Sequence, residues 1–86
     1  MPIPADGIRL TLYSRNYCHL CEEMISVLRG LQAGLHFELE IVDVDSAPEL
    51  ERRYGEKVPV LSRGGEEICH YRLDPAVFTE YLAKIC

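Results

Sequence analysis

The amino-acid sequence predicts a single α/β domain over residues 1–86, with elements in the order β-α-β-α-β-β-α around a four-stranded mixed sheet. Three observations carry that expectation. Apolar residues alternate with period two from Ile8 to Tyr13 and again from His36 to Val44. Between these runs, from His19 to about Ala33, they recur at helical spacing. Gly64-Gly65 then separates two short apolar runs, as a tight hairpin requires.

The first strand places Ile8, Leu10 and Leu12 on one face, and Ser14 to Tyr17 read as a turn. The following helix lines up Leu20, Met24, Val27, Leu28 and Leu31, widened by Cys21 and Ile25, with Glu22, Glu23, Ser26 and Arg29 opposite. Gly34 is expected as its C′ residue. In the second strand, Phe37, Leu39 and Ile41 alternate with Glu38 and Glu40. Ser46-Ala47-Pro48-Glu49 has capping-box spacing and predicts a short helix to Tyr54, stopped by Gly55. Val58-Pro59-Val60-Leu61 is the third strand, and Glu66-Glu67-Ile68-Cys69-His70 the fourth. Asp74-Pro75 reads as an N-cap followed by proline at the first helical position. The last helix carries Val77, Phe78, Tyr81, Leu82 and Ile85 on its apolar side. Strands joined through a helix run parallel with a right-handed crossover, the hairpin pair runs antiparallel, and helices cover both faces of the sheet.

Composition bounds the function. Nine basic and fourteen acidic residues give a net charge of −5 with no basic stripe, which argues against nucleic acid as a partner. No apolar run reaches the roughly 20 residues that span a membrane. Met1 to Gly7 lack the basic start and apolar stretch of a signal peptide. A cytoplasmic monomer is expected, and in that compartment thiols stay reduced. Paired cysteines there are catalytic or metal-binding before they are structural staples.

Cys18-His19-Leu20-Cys21 sits between a strand and a helix start. Unpaired N–H groups and the macrodipole at a helix N-terminus stabilise a thiolate, and only the thiolate attacks disulfides. A second thiol one turn later can resolve the mixed disulfide. Cys18 is therefore the candidate nucleophile and Cys21 the resolving thiol. C-x-x-C spacing also suits zinc, so the motif alone leaves metal binding open. His19 is either a charge near the thiolate or a solvated first-turn residue. Glu22 and Glu23 place negative charge near Cys18, which opposes its ionisation. Cys69 and Cys86 read as a buried strand residue and a terminal thiol. The five tyrosines read as too scattered to form a stacking platform.

Leu12-Tyr13-Ser14-Arg15-Asn16-Tyr17-Cys18-His19-Leu20-Cys21 resembles the glutaredoxin active-site segment, in which a strand ending in Tyr-Ser leads through a basic residue to Cys-Pro-Tyr-Cys. Lys57-Val58-Pro59 stands where that family has Thr-Val-Pro with its cis-proline. The resemblance extends in element order over nearly the whole chain. It implies a thioredoxin-like fold and a thiol–disulfide oxidoreductase using the Cys18/Cys21 couple on protein or small-molecule disulfides. It also implies substrate-binding roles for Arg15, Val58 and Pro59, with a cis Val58–Pro59 bond leaving Val58's backbone free for an extended substrate. The chain departs from the pattern at His19-Leu20 and Lys57. It also departs at Cys69-His70-Tyr71-Arg72-Leu73-Asp74, where the family has Gly-Gly and an Asp-containing loop that grips glutathione. Asp74 can match that acid, but its plain role is capping. No resident cofactor or metal is expected, and the missing glycines leave glutathione unestablished as co-substrate. The other readings that stay open are a binding module with little turnover and a metal or iron–sulfur site through Cys18.

Overall fold

The structure, a computed structural model, describes residues 8–85. Expectations placed on residues 1–7, the Ile85 side chain and Cys86 lie outside the described residues. The alternation of Leu10 and Leu12 sets β1 (Arg9–Ser14), where both side chains are fully buried. Helical spacing sets α1 (His19–Leu31), which crosses over to β2 (Glu38–Asp43). A 3-10 turn, Val44–Ser46, leads into α2 (Pro48–Tyr54). The hairpin β3 (Val60–Arg63) and β4 (Glu66–His70) follows, then α3 (Pro75–Ile85). The strand order is β2-β1-β3-β4, with β1 parallel to β2 and antiparallel to β3, and β3 antiparallel to β4.

The sheet's two faces follow from this register. Leu10, Leu12 and Leu61 point to one side, where they pack with Met24 and Leu28 of α1 and Phe78 and Leu82 of α3. Phe37 meets Phe78 edge-on at 5.5 Å. Tyr13 has the opposite parity and stacks on Tyr54 of α2, so helices cover both faces. Each fully buried Leu or Phe contributes on the order of 1.5–3 kcal/mol through removal from water.

Turn chemistry explains the hairpin. Gly64 and Gly65 have φ of 56° and 89°. A two-residue loop with two left-handed residues matches the strand twist, and the register closes at Arg63↔Glu66. A bulge falls next, where Leu61 faces Cys69 and Ser62 faces Glu67, leaving Ile68 as the extra residue. Asp74 caps α3: its Oδ1 accepts from the Ala76 and Val77 amides at 3.0 and 3.4 Å.

Five local expectations need correction. Ser46 does not cap α2, because the 3-10 turn engages it and its hydroxyl donates to the Asp43 carbonyl at 2.6 Å. The N-cap is Ala47, without a side-chain bond. Gly34 is not a left-handed C′ residue: α1 ends at Gln32 and unwinds through bonds from Ala33 N to Gly30 O and Gly34 N to Leu31 O. Ile41 is 39% exposed although it shares a face with Leu12, because β2 is an edge strand. Val27 and Val77, both expected inward, are 38% and 61% exposed.

Two stability predictions follow from these contacts. Asp74→Ala removes the side-chain acceptor for two α3 amides and should lower the unfolding free energy by about 1 kcal/mol. Leu12→Ala empties a site packed on both flanks and should cost about 2–5 kcal/mol. Urea unfolding followed by far-UV circular dichroism measures both, and equal midpoints for Asp74→Ala and wild type would refute the capping role.

Candidate active site around the Cys18–Cys21 pair

The site begins where β1 ends. Four residues connect Ser14 to α1, and Tyr17 turns the chain with a φ of 61°. Cys18 is the N-cap of α1, with extended φ and ψ of −102° and 107°. Its Sγ accepts a hydrogen bond from the Cys21 amide at 3.2 Å, and its carbonyl accepts from Glu22 at 3.1 Å. Cys18 and Cys21 are joined as a disulfide with their Cα atoms 5.2 Å apart. Cys18 is half-buried while Cys21 is 1% exposed. A reduced Cys18 in this position has its sulfur at the positive end of α1, where an N–H group is already directed at it.

The basic side chains around the motif face carboxylates. His19 Nε2 lies 3.0 Å from Glu23 Oε2, on an exposed surface. Lys57 Nζ donates to Glu67 Oε1 at 2.7 Å, and His70 Nδ1 lies 2.6 Å from the other Glu67 oxygen. Lys57 first, then His70, holds the Glu67 carboxyl below the usual carboxylate range. Arg15 forms a fork on Asp45, with Nη2 to Oδ1 at 2.8 Å and Nε to Oδ2 at 3.2 Å. Its Nη2 also reaches Glu51 Oε2, and its Nη1 reaches the Gly55 carbonyl, each at 3.2 Å. The guanidinium keeps Asp45 below its ordinary range. The structure therefore places Arg15 in a network with α2 and the 3-10 turn.

The Val58–Pro59 peptide bond is cis, and Pro59 is fully buried. Both residues precede β3, so they stay outside the strand ladder. The β1–β3 register ends at Tyr13↔Val60, and one further step sets Pro59 opposite Ser14. Val58 and Pro59 thus lie at the end of the sheet from which the chain leaves for Cys18. Tyr71 closes the other side: its amide donates to the Pro59 carbonyl and its hydroxyl to the Glu56 carbonyl, both at 2.9 Å.

Several features were not anticipated from sequence. Tyr13 and Tyr54 stack with ring centroids 4.0 Å apart, and the Arg53 guanidinium lies 5.5 Å from the Tyr54 ring. The fold brings Tyr13 and Tyr54 together although they are far apart in sequence, and the other three tyrosines take no part in that stack. Burial, then the neighbouring Tyr54, raises the Tyr13 pKa. A groove of about 130 Å³ runs between α1 and residues 71–73, lined by Leu20, Met24, Val27 and Tyr71. A second cavity of about 300 Å³ lies between β4 and α3, with Cys69, Phe78 and Tyr81 in its wall. The Tyr81 hydroxyl there is buried without a hydrogen-bond partner. Among the described residues, no group of three or more His, Cys, Asp or Glu side chains is arranged to hold a metal ion. No described helix is long and apolar enough to cross a membrane.

Comparison with known proteins fits this geometry. A family model described as glutaredoxin-like domain (DUF836) matches residues 9–83. A Nitrosomonas europaea protein solved by NMR is 43% identical, with a TM-score of 0.78, covering 94% of this chain and 98% of its own. An X. campestris structural-genomics target is 34% identical, with a TM-score of 0.72, covering 87% of this chain and 96% of its own. The holo form of glutaredoxin C1 from Populus tremula x tremuloides is 18% identical with a TM-score of 0.53, covering 92% and 79%, and shows the thioredoxin-like fold alone. Among curated proteins, none matches the chain. The matched domain, with the strand–turn–helix placement of its Cys pair, shows that the chain belongs to the glutaredoxin-like domain family.

Proposed function

We propose that this protein is a thiol–disulfide oxidoreductase working through Cys18 and Cys21. The observation that carries the reading is the position of Cys18 as N-cap, with its sulfur accepting the Cys21 amide and bonded to the Cys21 sulfur. In the reduced protein, the Cys18 thiolate attacks a substrate disulfide. One Cys18–substrate S–S bond forms and the substrate S–S bond breaks, releasing one substrate thiolate, which takes a proton. The Cys21 thiol loses its proton and attacks Cys18 Sγ. The Cys18–Cys21 disulfide forms and the second substrate thiol leaves. Two electrons pass from the dithiol to the substrate.

The two thiols are suited to different steps. Cys18 is the more accessible and the nearer to the helix N-terminus, whereas Cys21 is buried and reaches the Cys18 sulfur. Val58 supports binding of an extended substrate, since it lies outside the ladder at the same end of the sheet. A disulfide in a protein or a low-molecular-weight compound is the substrate in this reading, and a low-molecular-weight thiol in a reducing, cytoplasmic compartment restores the dithiol. Glutathione is one such thiol to assay. The loop that grips it in glutaredoxins is here occupied by Tyr71, bound to Glu56 and Pro59.

The reading predicts that Cys18→Ser abolishes disulfide exchange. Cys21→Ser should accumulate a mixed disulfide on Cys18, seen by intact mass. A wild-type protein that forms no mixed disulfide with peptide, glutathione or thioredoxin disulfides would sink it. Cys69 should take no part. Burial, helped by Glu67, pushes its thiol up to about 11, so at pH 8 only on the order of one molecule in a thousand carries the thiolate. In reduced protein carrying Cys86→Ser, iodoacetamide should label Cys18 well before Cys69. Labelling of Cys69 should rise tenfold per pH unit up to about pH 11, read by peptide mapping.

A further inference from the structure

The family resemblance implies a substrate-binding role for Arg15, but its contacts assign a different task. All three guanidinium nitrogens are engaged, on Asp45, Glu51 and the Gly55 carbonyl. Two carboxylates against one guanidinium offset its charge locally. The partners come from three parts of the chain: the 3-10 turn, α2, and the residue that ends α2. Gly55 fits this arrangement tightly. A Cβ there would lie 2.7 Å from Glu51 Oε2, the atom that Arg15 binds, and 2.5 Å from the Glu51 carbonyl.

The segment reached by Arg15 is the one that leads to Val58. Gly55 is bound by Arg15, and Gly55 N by Glu51 O at 2.8 Å. Glu56 and Pro59 are bound by Tyr71, and Lys57 by Glu67. Arg15 itself stands three residues before Cys18 (18 − 15 = 3). One side chain therefore ties the turn that delivers the nucleophile to the segment that presents Val58. We propose that Arg15 is a positioning residue, fixing Cys18 relative to the Val58 substrate edge through its planar fork rather than through its charge. This rests on the oxidoreductase reading above.

Fork and charge are separable. Lysine keeps the cation but is a point donor that cannot bind two carboxylates and a carbonyl in fixed directions. The converse change, Asp45→Asn with Glu51→Gln, keeps Arg15 and releases its charge. The pairs are partly exposed and contribute little to global stability, so both variants should fold. The cap around Cys18 is local to residues 18–22 and does not include Arg15, so thiolate formation should survive.

The test compares wild type, Arg15→Lys and the Asp45→Asn/Glu51→Gln double variant with two probes. The first is reduction of a disulfide-linked peptide. The second is alkylation of Cys18 by iodoacetamide against pH, which needs the thiolate but no aligned partner. Both variants should lose about tenfold to a hundredfold in the second-order rate with the peptide, the scale of a misplacement near 1 Å. Alkylation of Cys18 and its pH midpoint should stay close to wild type in both. Full exchange in Arg15→Lys would show that the charge suffices and overturn the proposal. So would exchange in the double variant equal to or faster than wild type, or a shifted alkylation midpoint in either variant. Absence of exchange by wild type itself defeats the oxidoreductase reading instead, so the two failures are distinguishable.

Discussion

The central position of β1 is the constraint on which the site depends. Leu10 and Leu12 are sealed between α1 and α3, and hydrogen-bonded strands lie on both edges. Pleat parity and burial together prevent β1 from sliding, because a one-residue slip would turn both leucines to the opposite face. Everything chemical is hung from its C-terminal end. The turn after Ser14 delivers Cys18 to the first N–H groups of α1, and the antiparallel register with β3 brings Pro59 to the same level. The separation of Cys18 from the Val58–Pro59 step is thus inherited from strand pairing, with loop contacts as the adjustment.

That scaffold was legible in the sequence because its signals are periodic and redundant. Leu10 and Leu12, the stripe from Leu20 to Leu31, Gly64-Gly65 and Asp74-Pro75 each need only local chemistry to act as expected. The errors occur where two local signals compete or where the partner is distant. Ser46 has the spacing of a capping residue, yet Asp43 upstream accepts the Asp45 amide at 2.9 Å and helps close a 3-10 turn that takes Ser46 with it. Ile41 follows the strand alternation correctly but lies on an edge, and strand order is a tertiary fact. Tyr13 and Tyr54 reveal their stacking only once α2 is folded back over the sheet. The candidate dithiol was legible from spacing, whereas the partners of Arg15 were not, since Asp45 and Glu51 lie 30 and 36 residues away.

The charges around the dithiol form a consistent pattern. Arg15 has Asp45 and Glu51, His19 has Glu23, and Lys57 and His70 share Glu67. With a net charge of −5 the chain has carboxylates to spare, and the basic side chains nearest the motif in sequence face them. What remains to favour a Cys18 thiolate is the helix terminus: the amide of Cys21 directed at the sulfur and the aligned peptide dipoles behind it. Glu22 in the first turn works against the ionisation while favouring the helix.

Tyr71 shows how the departure from the glutaredoxin pattern is built. It holds a φ of 65°, in the region glycine adopts freely, although it carries a large side chain. The strain is offset by what the conformation gains: an amide bond to Pro59 and a hydroxyl bond to Glu56. The neighbouring His70 ring packs edge-on against it at 4.7 Å. A glycine here would keep the turn and lose the hydroxyl anchor, so the backbone conformation is retained while the space above it is filled. The same residue walls the groove beside Leu20, between the two cysteines. The wall of that groove combines the Tyr71 ring and the Leu20, Met24 and Val27 side chains with the charged Glu23 and Arg72.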